Sequence, residues 1–391
     1  MRLLHTGDWH LGRTIRGQSR HAEFERAVMC VVDIARREQV DAVLIAGDTF
    51  ETFAPPADAE HLLYEALTAL LRDDIKVAMI AGNHDNASRM DALSGILRIA
   101  GAHCVGSVPR DDSYAPLRIT SRDGAEAATV VALPWVAERI AVEYEHLFGD
   151  VSAALQRYAG QMERAIAYFC RSFDPATANI FMGHMLIDGV SIGEGSGERK
   201  MQIGQNFAVP ATCLPASAQY VALGHVHRPQ EIGSPAPAFY AGSLLQLDFG
   251  ESGQEKSVNL IDVQPRKPAK VRNIPVTGGR ELKTLRLRLD DLPSHAGQHA
   301  DAWLRVYVDL DAPVLSLYER VREVLPNALH VEGVVAAPVD GDASAPDGGA
   351  LAPHELLARY YAERHGGHAI PEGLVTLFNE LYQAEVERAS T

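Results

Sequence analysis

The sequence predicts an α/β protein whose core is two sheets packed face to face with helices outside. Three observations predict it. In the first hundred residues, short apolar runs alternate with helix-period patterns, which is the signature of βαβ units and parallel strands. A second set of β-like runs, between Leu117 and Ile274, is too numerous for one small sheet. Five of the apolar runs also stop at a glycine or threonine followed by aspartate, asparagine or histidine, and in parallel sheets the loops beyond the strands' carboxyl ends carry the sites.

Leu3-Leu4 opens the first strand and leads into Thr6-Gly7-Asp8-Trp9-His10. Phe24, Ala27, Val28, Val31 and Ala35 recur at three- and four-residue intervals, giving a helix with one apolar face before the strand Ala42–Ala46. That strand ends at Gly47-Asp48. Pro55-Pro56 starts a second helix, with Leu62, Leu63, Ala66, Leu67, Leu70 and Leu71 as its stripe. The run Val77-Ala78-Met79-Ile80 follows and ends in Gly82-Asn83-His84-Asp85, and a third helix carries Met90, Leu93, Ile96 and Leu97.

Beyond Gly101 the spacing predicts strands at Leu117–Ile119 and Thr129–Leu133, and a long helix over Val151–Phe173. Further strands are expected at Ile180–Met182, Tyr220–Leu223, Ala238–Tyr240, Val258–Val263 and Val271–Ile274, all assigned to the second sheet. Gly183-His184 and Gly224-His225-Val226-His227 close two of them. The glycine-, serine- and charge-rich stretch Asp188–Gln205 reads as a surface loop. Alternating Leu285–Leu289 and Leu304–Val308, a helix with Leu317, Val321 and Val324, and Val331–Val335 make a small α+β module. Pro338–Pro353 has a linker's composition. The last segment holds two amphipathic helices, one with Leu356, Leu357, Tyr360 and Tyr361, the other with Leu374, Val375, Leu377, Phe378, Leu381 and Tyr382. So small a pair must dock on its own body or on a partner. The expected divisions are residues 1–280, 281–337, 338–353 and 354–391.

The 391 residues carry a formal charge of −15, which argues against nucleic-acid binding over a broad basic surface. A local contact is left open at Arg13, Arg16 and Arg20, with Arg89 after the tetrad; the same arginines also read as solvated groups balancing nearby acids. No apolar run approaches the roughly 20 residues that cross a bilayer. The opening residues lack a signal-peptide core. The four cysteines are scattered without paired spacing, which suits a reducing cytoplasm.

The polar clusters read as one metal centre. Attack on a phosphodiester builds charge on the incoming and leaving oxygens, and two divalent ions about 4 Å apart stabilise both. Such a centre needs a bridging carboxylate, and Asp48 is the natural one. Asp8, His10 and His227 complete one ion's set; Asn83, His184 and His225 complete the other's. Oxygen and imidazole ligands without thiolate favour manganese, iron or zinc, with manganese first. His84 is left for proton transfer, with Asp85 fixing its tautomer.

With Asp8-x-His10, Gly47-Asp48, Gly82-Asn83-His84-Asp85, Gly183-His184 and Gly224-His225-x-His227 in order, residues 1–280 resemble the calcineurin-like metallophosphoesterases. The opening Leu4–Gly12 resembles their DNA-repair nuclease branch, although Glu51 stands where archaeal and eukaryotic relatives carry histidine. The resemblance implies a four-layer α/β/β/α core, a capping domain that helps position DNA, and C-terminal helices that grip a coiled-coil ATPase. It implies a homodimer, formed by the helices after Pro56 and Asp85, within a heterotetramer. It also implies ATP-assisted exonuclease action on double-strand ends and endonuclease action on single strands and hairpins. A small-molecule phosphodiesterase or protein phosphatase on the same core is the competing expectation.

Overall fold

The computed structural model describes residues 1–108, 114–136, 151–191, 208–311, 314–335, 357–358, 361–362, 369–371 and 373–379, with the side chains of 151–157 excepted. The chain forms two compact units, Met1–Ala336 and Ala337–Thr391.

The first unit begins with β1 (Arg2–Thr6), a ribbon of β2 (Thr14–Ile15) and β3 (Gln18–Ser19), and α1 (His21–Arg37). Next come β4 (Ala42–Ile45), α2 (Ala57–Arg72), β5 (Lys76–Ile80), α3 (Ala87–Ala100) and β6 (Ala102–Val105). They are followed by β7 (Leu117–Thr120), β8 (Ala127–Leu133), α4 (Val151–Phe169), β9 (Ala178–His184), β10 (Tyr220–Gly224), β11 (Gln230–Ile232) and β12 (Ala238–Tyr240). The unit ends with β13 (Ser257–Gln264), β14 (Lys267–Pro275), β15 (Glu281–Arg288), β16 (Ala302–Leu310), α5 (Leu317–Val324) and β17 (Ala328–Val335).

Two six-stranded sheets result, ordered β14-β13-β1-β4-β5-β6 and β11-β12-β10-β9-β8-β7. β1, β4, β5 and β6 are parallel, as are β8, β9, β10 and β12. Their carboxyl ends therefore share an edge. Strands buried on both faces read as apolar runs, as in β4, Ala-Val-Leu-Ile with all four buried; in β1 Leu3 faces the other sheet while Leu4 faces the helices. Leu44, Ala78 and Ile80 meet Ile180, Met182, Tyr220 and Ala222 between the sheets. α1 and α2 cover the first sheet through Phe24, Val28, Val31, Leu62, Leu67 and Leu70, and α4 covers the second through Tyr158, Met162 and Ile166.

Two expectations are corrected. β13 and β14 return to the first sheet: β13 pairs antiparallel with β1, joining Arg2 to Asp262 and His5 to Asn259. Alternation along a strand reports which faces are buried and not which sheet lies beside it, so the sequence could not choose. The second difference is β6, a four-residue strand that extends the first sheet just after α3 and was not foreseen. α3 itself is capped by the Asn86 side chain, which accepts the Arg89 N–H, and ends at Gly101 with φ 98°. Among its residues only Met90 is fully buried.

β15, β16 and β17 form a parallel three-stranded sheet, covered by α5 through Val321 against Leu304, Val306 and Val308. In the second unit, residues 357–358, 361–362 and 373–379 are helical, and Leu374 and Leu377 are exposed. Leu356, Tyr360 and Leu381, the linker 338–353 and residues 192–205 lie outside the described residues. Among the described residues no helix is long and apolar enough to cross a membrane.

Candidate metal centre

Five strand ends bring the predicted ligands together: Asp8 and His10 after β1, Asp48 after β4, Asn83 after β5, His184 at the end of β9, and His225 and His227 after β10. Asp8, His10, Asp48 and His225 have positive φ, of 49°, 49°, 46° and 106°. A left-handed backbone is costly for residues with a side chain, and four such positions at one sheet edge turn consecutive side chains inward. Room for them comes from glycine. A Cβ on Gly82 would lie 2.1 Å from Asp48 Oδ1, and one on Gly47 would lie 2.2 Å from His184 Nδ1.

The side chains form overlapping groups. Asp8, His10 and His227 offer ligand atoms within 4.8 Å of one another, as do Asp48, His184 and His225, and as do His10, Asp48 and His84. Asp48 Oδ2 lies between the first two groups, 3.7 Å from His10 Nε2 and 3.4 Å from His184 Nε2. Asn83 Oδ1 is 3.0 Å from His184 Nε2 and 3.0 Å from His225 Nδ1.

Imidazole orientation decides whether these atoms fit metal ions. His10 donates Nδ1–H to Glu51 Oε2 at 2.9 Å, and His227 donates Nδ1–H to Glu251 Oε1 at 3.1 Å. Both Nε2 atoms therefore present lone pairs, and they face each other at 3.1 Å. Two acceptors at that distance repel unless a cation sits against both. His184 likewise spends Nδ1–H on the Ala46 carbonyl at 2.8 Å. A ligand imidazole whose other nitrogen is anchored by an oxygen is the usual arrangement at metal sites, so the donor set fits a pair of divalent ions.

Burial holds His10 down to about 4 and His225 to about 3, which keeps both rings neutral and able to donate a lone pair. Burial also acts on His184 and Asp48, but their mutual attraction outweighs it: His184 rises to about 9, and Asp48 stays well below the usual carboxylate range. Burial pushes Asp8 up to about 7 despite the neighbouring histidines. The pocket thus favours positive charge beside Asp48.

Two predicted roles change. The Asp85 carboxylate does not touch His84; it accepts the main-chain N–H groups of Thr49, Phe50 and Gly82, tying the β4 loop to the β5 loop. His84 donates Nδ1–H to the Glu51 carbonyl at 2.7 Å, so a main-chain oxygen sets its tautomer. Arg20 is not a surface cation. It is buried in an ion pair with Glu23 at 2.8 Å and donates to the Gln246 carbonyl. Arg13 bridges Glu51 and the Leu247 carbonyl, Arg16 is exposed at the tip of the β2–β3 ribbon, and Arg89 pairs with Glu60.

Three further residues serve the site. Glu51 and Glu251 orient His10 and His227, and the Trp135 ring stacks on His225 with centroids 5.1 Å apart. Glu51, three residues after Asp48, was within reach of a sequence reading; Glu251, in a short 3-10 turn, carried no signal.

Fold and site together define a class, the calcineurin-like phosphoesterases, and that family's description matches residues 1–229. Residues 278–365 match a second, described as the Type 5 capsule protein repressor C-terminal domain. The chain belongs to the calcineurin-like phosphoesterase family, in the group of the SbcD components of SbcCD nucleases. It is 32% identical over 389 residues to the SbcD component of the nuclease SbcCD from Bacillus subtilis, covering 97% of each chain. To that of Rhodobacter capsulatus it is 33% identical, covering 81% of this chain and 82% of the relative. A crystal structure of a dimetal phosphatase from Danio rerio aligns with a TM-score of 0.38 at 14% identity, over 71% of this chain and 99% of that one. The chain is a hydrolase of phosphoesters.

Proposed function

We propose that this chain is the nuclease component of an SbcCD-type complex and hydrolyses DNA phosphodiester bonds at a centre for two divalent ions, manganese foremost. The observation that carries the proposal is the position of Asp48 Oδ2 between two ligand groups, 3.7 Å from His10 and 3.4 Å from His184. Asp8, His10 and His227 would hold one ion and Asn83, His184 and His225 the other, with Asp48 as the carboxylate the two sets would share. Such ions, when bound, offset the charge that develops on the incoming and leaving oxygens. His84, anchored through Nδ1, supplies or accepts a proton at Nε2 beside the leaving oxygen. Asp85 acts behind it by fixing the loops that carry Asp48 and His84.

Relatives named as components of the nuclease SbcCD support DNA as substrate and an SbcC-type ATPase as partner. Residues 1–280 are the nuclease domain, 281–337 cap it, and 338–353 link it to helices at 354–391 that bind the ATPase through Leu356, Tyr360, Leu374, Phe378 and Leu381. Arg13, Arg16 and Arg89 contact DNA; Arg20 is withdrawn from that role. The work is ATP-assisted exonuclease action on double-strand ends and endonuclease action on single strands and hairpins, in cytoplasmic DNA repair, replication and recombination. Two copies pair through α2 and α3, where Ile96 and Ile99 of α3 are 71% and 88% exposed and Tyr64 of α2 is exposed as well.

Manganese-dependent cleavage of end-labelled linear and hairpin DNA tests this, with the ATPase and ATP supplied and His84→Ala as comparison. Cleavage by the wild type and loss in the variant, with ion binding retained, is expected. A wild type that leaves DNA intact while hydrolysing a generic phosphodiester overturns the nuclease reading.

A further inference from the structure

We infer that the capping module positions His227, and with it one of the two ion subsites, by gripping residues 244–256. The inference rests on the two-ion reading above. On the cap side, the main chain of Leu282 in β15 is held twice: its N–H donates to Gln246 Oε1 at 2.7 Å, and its carbonyl accepts the Ser252 hydroxyl at 2.6 Å. The Leu282 side chain is buried against Ile15 and Phe249. From β16, Trp303 donates Nε1–H to Glu23 at 2.8 Å, and the Arg280 guanidinium lies 4.5 Å over its ring. Glu23 also accepts the Arg280 N–H and pairs with Arg20, which in turn donates to the Gln246 carbonyl. Gln246 is thus clamped between the cap strand and an ion pair that the cap's own tryptophan closes.

From Gln246 the grip runs to the site in two short paths. Glu251, which holds His227 Nδ1–H, accepts the Leu247 N–H at 3.1 Å and Lys256 Nζ at 2.7 Å. Lys256 also donates to the His227 carbonyl at 2.9 Å. The Leu247 carbonyl accepts Arg13 Nε at 3.3 Å, and Arg13 holds Glu51, the carboxylate behind His10. Both histidines of the Asp8 group are therefore aimed by carboxylates tied to this segment. The other side chains are anchored elsewhere: His184 on the Ala46 carbonyl, and the His225 ring on Trp135, whose main-chain N–H donates to the Ala81 carbonyl, although the His225 main-chain N–H donates to Asp8. The coupling is lopsided: it reaches His10 and His227 through the carboxylates that orient their rings, and Asn83/His184/His225 only through the His225 main chain and the shared Asp48.

Trp303→Phe tests it by removing one N–H and keeping the ring. Manganese titration of the full chain by calorimetry is expected to show one of two affinities weakened about three- to tenfold, below the 10–100-fold of losing a ligand's direct partner, and the other weakened less than about twofold. In the metal-free chain, imidazole NMR signals of His227 should shift while those of His184 stay. Arg286→Ala, which breaks a pair with Asp309 on the cap's outer face, should change neither. Combined with Glu251→Gln, Trp303→Phe should be non-additive, since both act through one path. Additive effects, equal weakening of both affinities, or no weakening overturn the coupling. Should Trp303→Phe lose its cooperative unfolding transition, Arg280→Ala, which retains the main-chain N–H, takes its place with the same outcomes. A wild type that binds fewer than two ions instead overturns the two-ion reading.

Discussion

Replacing Gly82 by alanine adds a single methyl group directly behind the Asp48 carboxylate. That Cβ would stand 2.1 Å from Asp48 Oδ1, 2.3 Å from the Asp48 nitrogen and 2.6 Å from its Cγ, whereas ordinary contact begins at 3.4 Å. Asp48 must therefore retreat by about 1.3 Å, the difference between 3.4 and 2.1 Å. Gly82 does not have a positive φ, so the perturbation is steric and not a backbone penalty. Ligand distances tolerate only about 0.2 Å, and a misplacement of about 1 Å costs roughly 10²-fold in rate. Overpacking adds about 1–3 kcal/mol of destabilisation. Gly82→Ala should thus remain folded with a lowered unfolding midpoint, lose high-affinity binding at both subsites in a calorimetric manganese titration, and cleave a phosphodiester about a hundredfold more slowly. Wild-type affinity for two ions together with wild-type rate would refute the placement of Asp48 as the shared ligand.

Other outcomes follow from residues away from the metals. Arg20→Ala leaves Glu23 buried without its partner and should cost about 3–5 kcal/mol in denaturant unfolding, a loss of stability where a surface DNA contact would show only weaker DNA binding. Burial alone would raise Glu23, but hydrogen bonds from Arg20 and Trp303 and the Arg20 charge hold it below the usual 4.5. Its stabilisation is present above that value and is lost as pH falls through the depressed one, so the stability gap between wild type and Glu23→Gln should narrow in acid. Ile99→Glu should leave unfolding within about 0.5 kcal/mol of wild type, as for an exposed position, and turn a dimer into a monomer in sedimentation. A saturating divalent ion should raise the unfolding free energy by about 2.7 kcal/mol per site at a hundred times its Kd, and a chelator should reverse this.

The clustering of these side chains was legible because of one physical regularity. Parallel strands end at a common edge, so Asp8, Asp48, Asn83, His184 and His225 could be gathered from five separate apolar runs without knowing the strand order. What lay beyond was contact between segments with no shared pattern. Glu251 sits 24 residues from His227, in a turn whose composition says nothing of an imidazole opposite. Asp85 looked like a partner for its neighbour His84 because adjacency in sequence suggests contact, yet three main-chain N–H groups compete for that carboxylate and win. Arg20 looked like a loop cation because charge alone does not reveal that Glu23 and the Gln246 carbonyl hold it in the interior. β13 and β14 were joined to the wrong sheet for a related reason: pairing partners 260 residues apart leave no local trace.

That distant pairing also sets the order in which the protein comes into being on the ribosome. β1 is made long before β13, and one of its edges stays open until β13 emerges, since Arg2 waits for Asp262. At about 5–20 residues per second this takes roughly 10–50 s. His225 and His227 arrive only near the end of that interval, and Glu251 later still. A nascent chain therefore carries a strand with one open edge, and the step that seals that edge follows the arrival of the last histidines of the cluster.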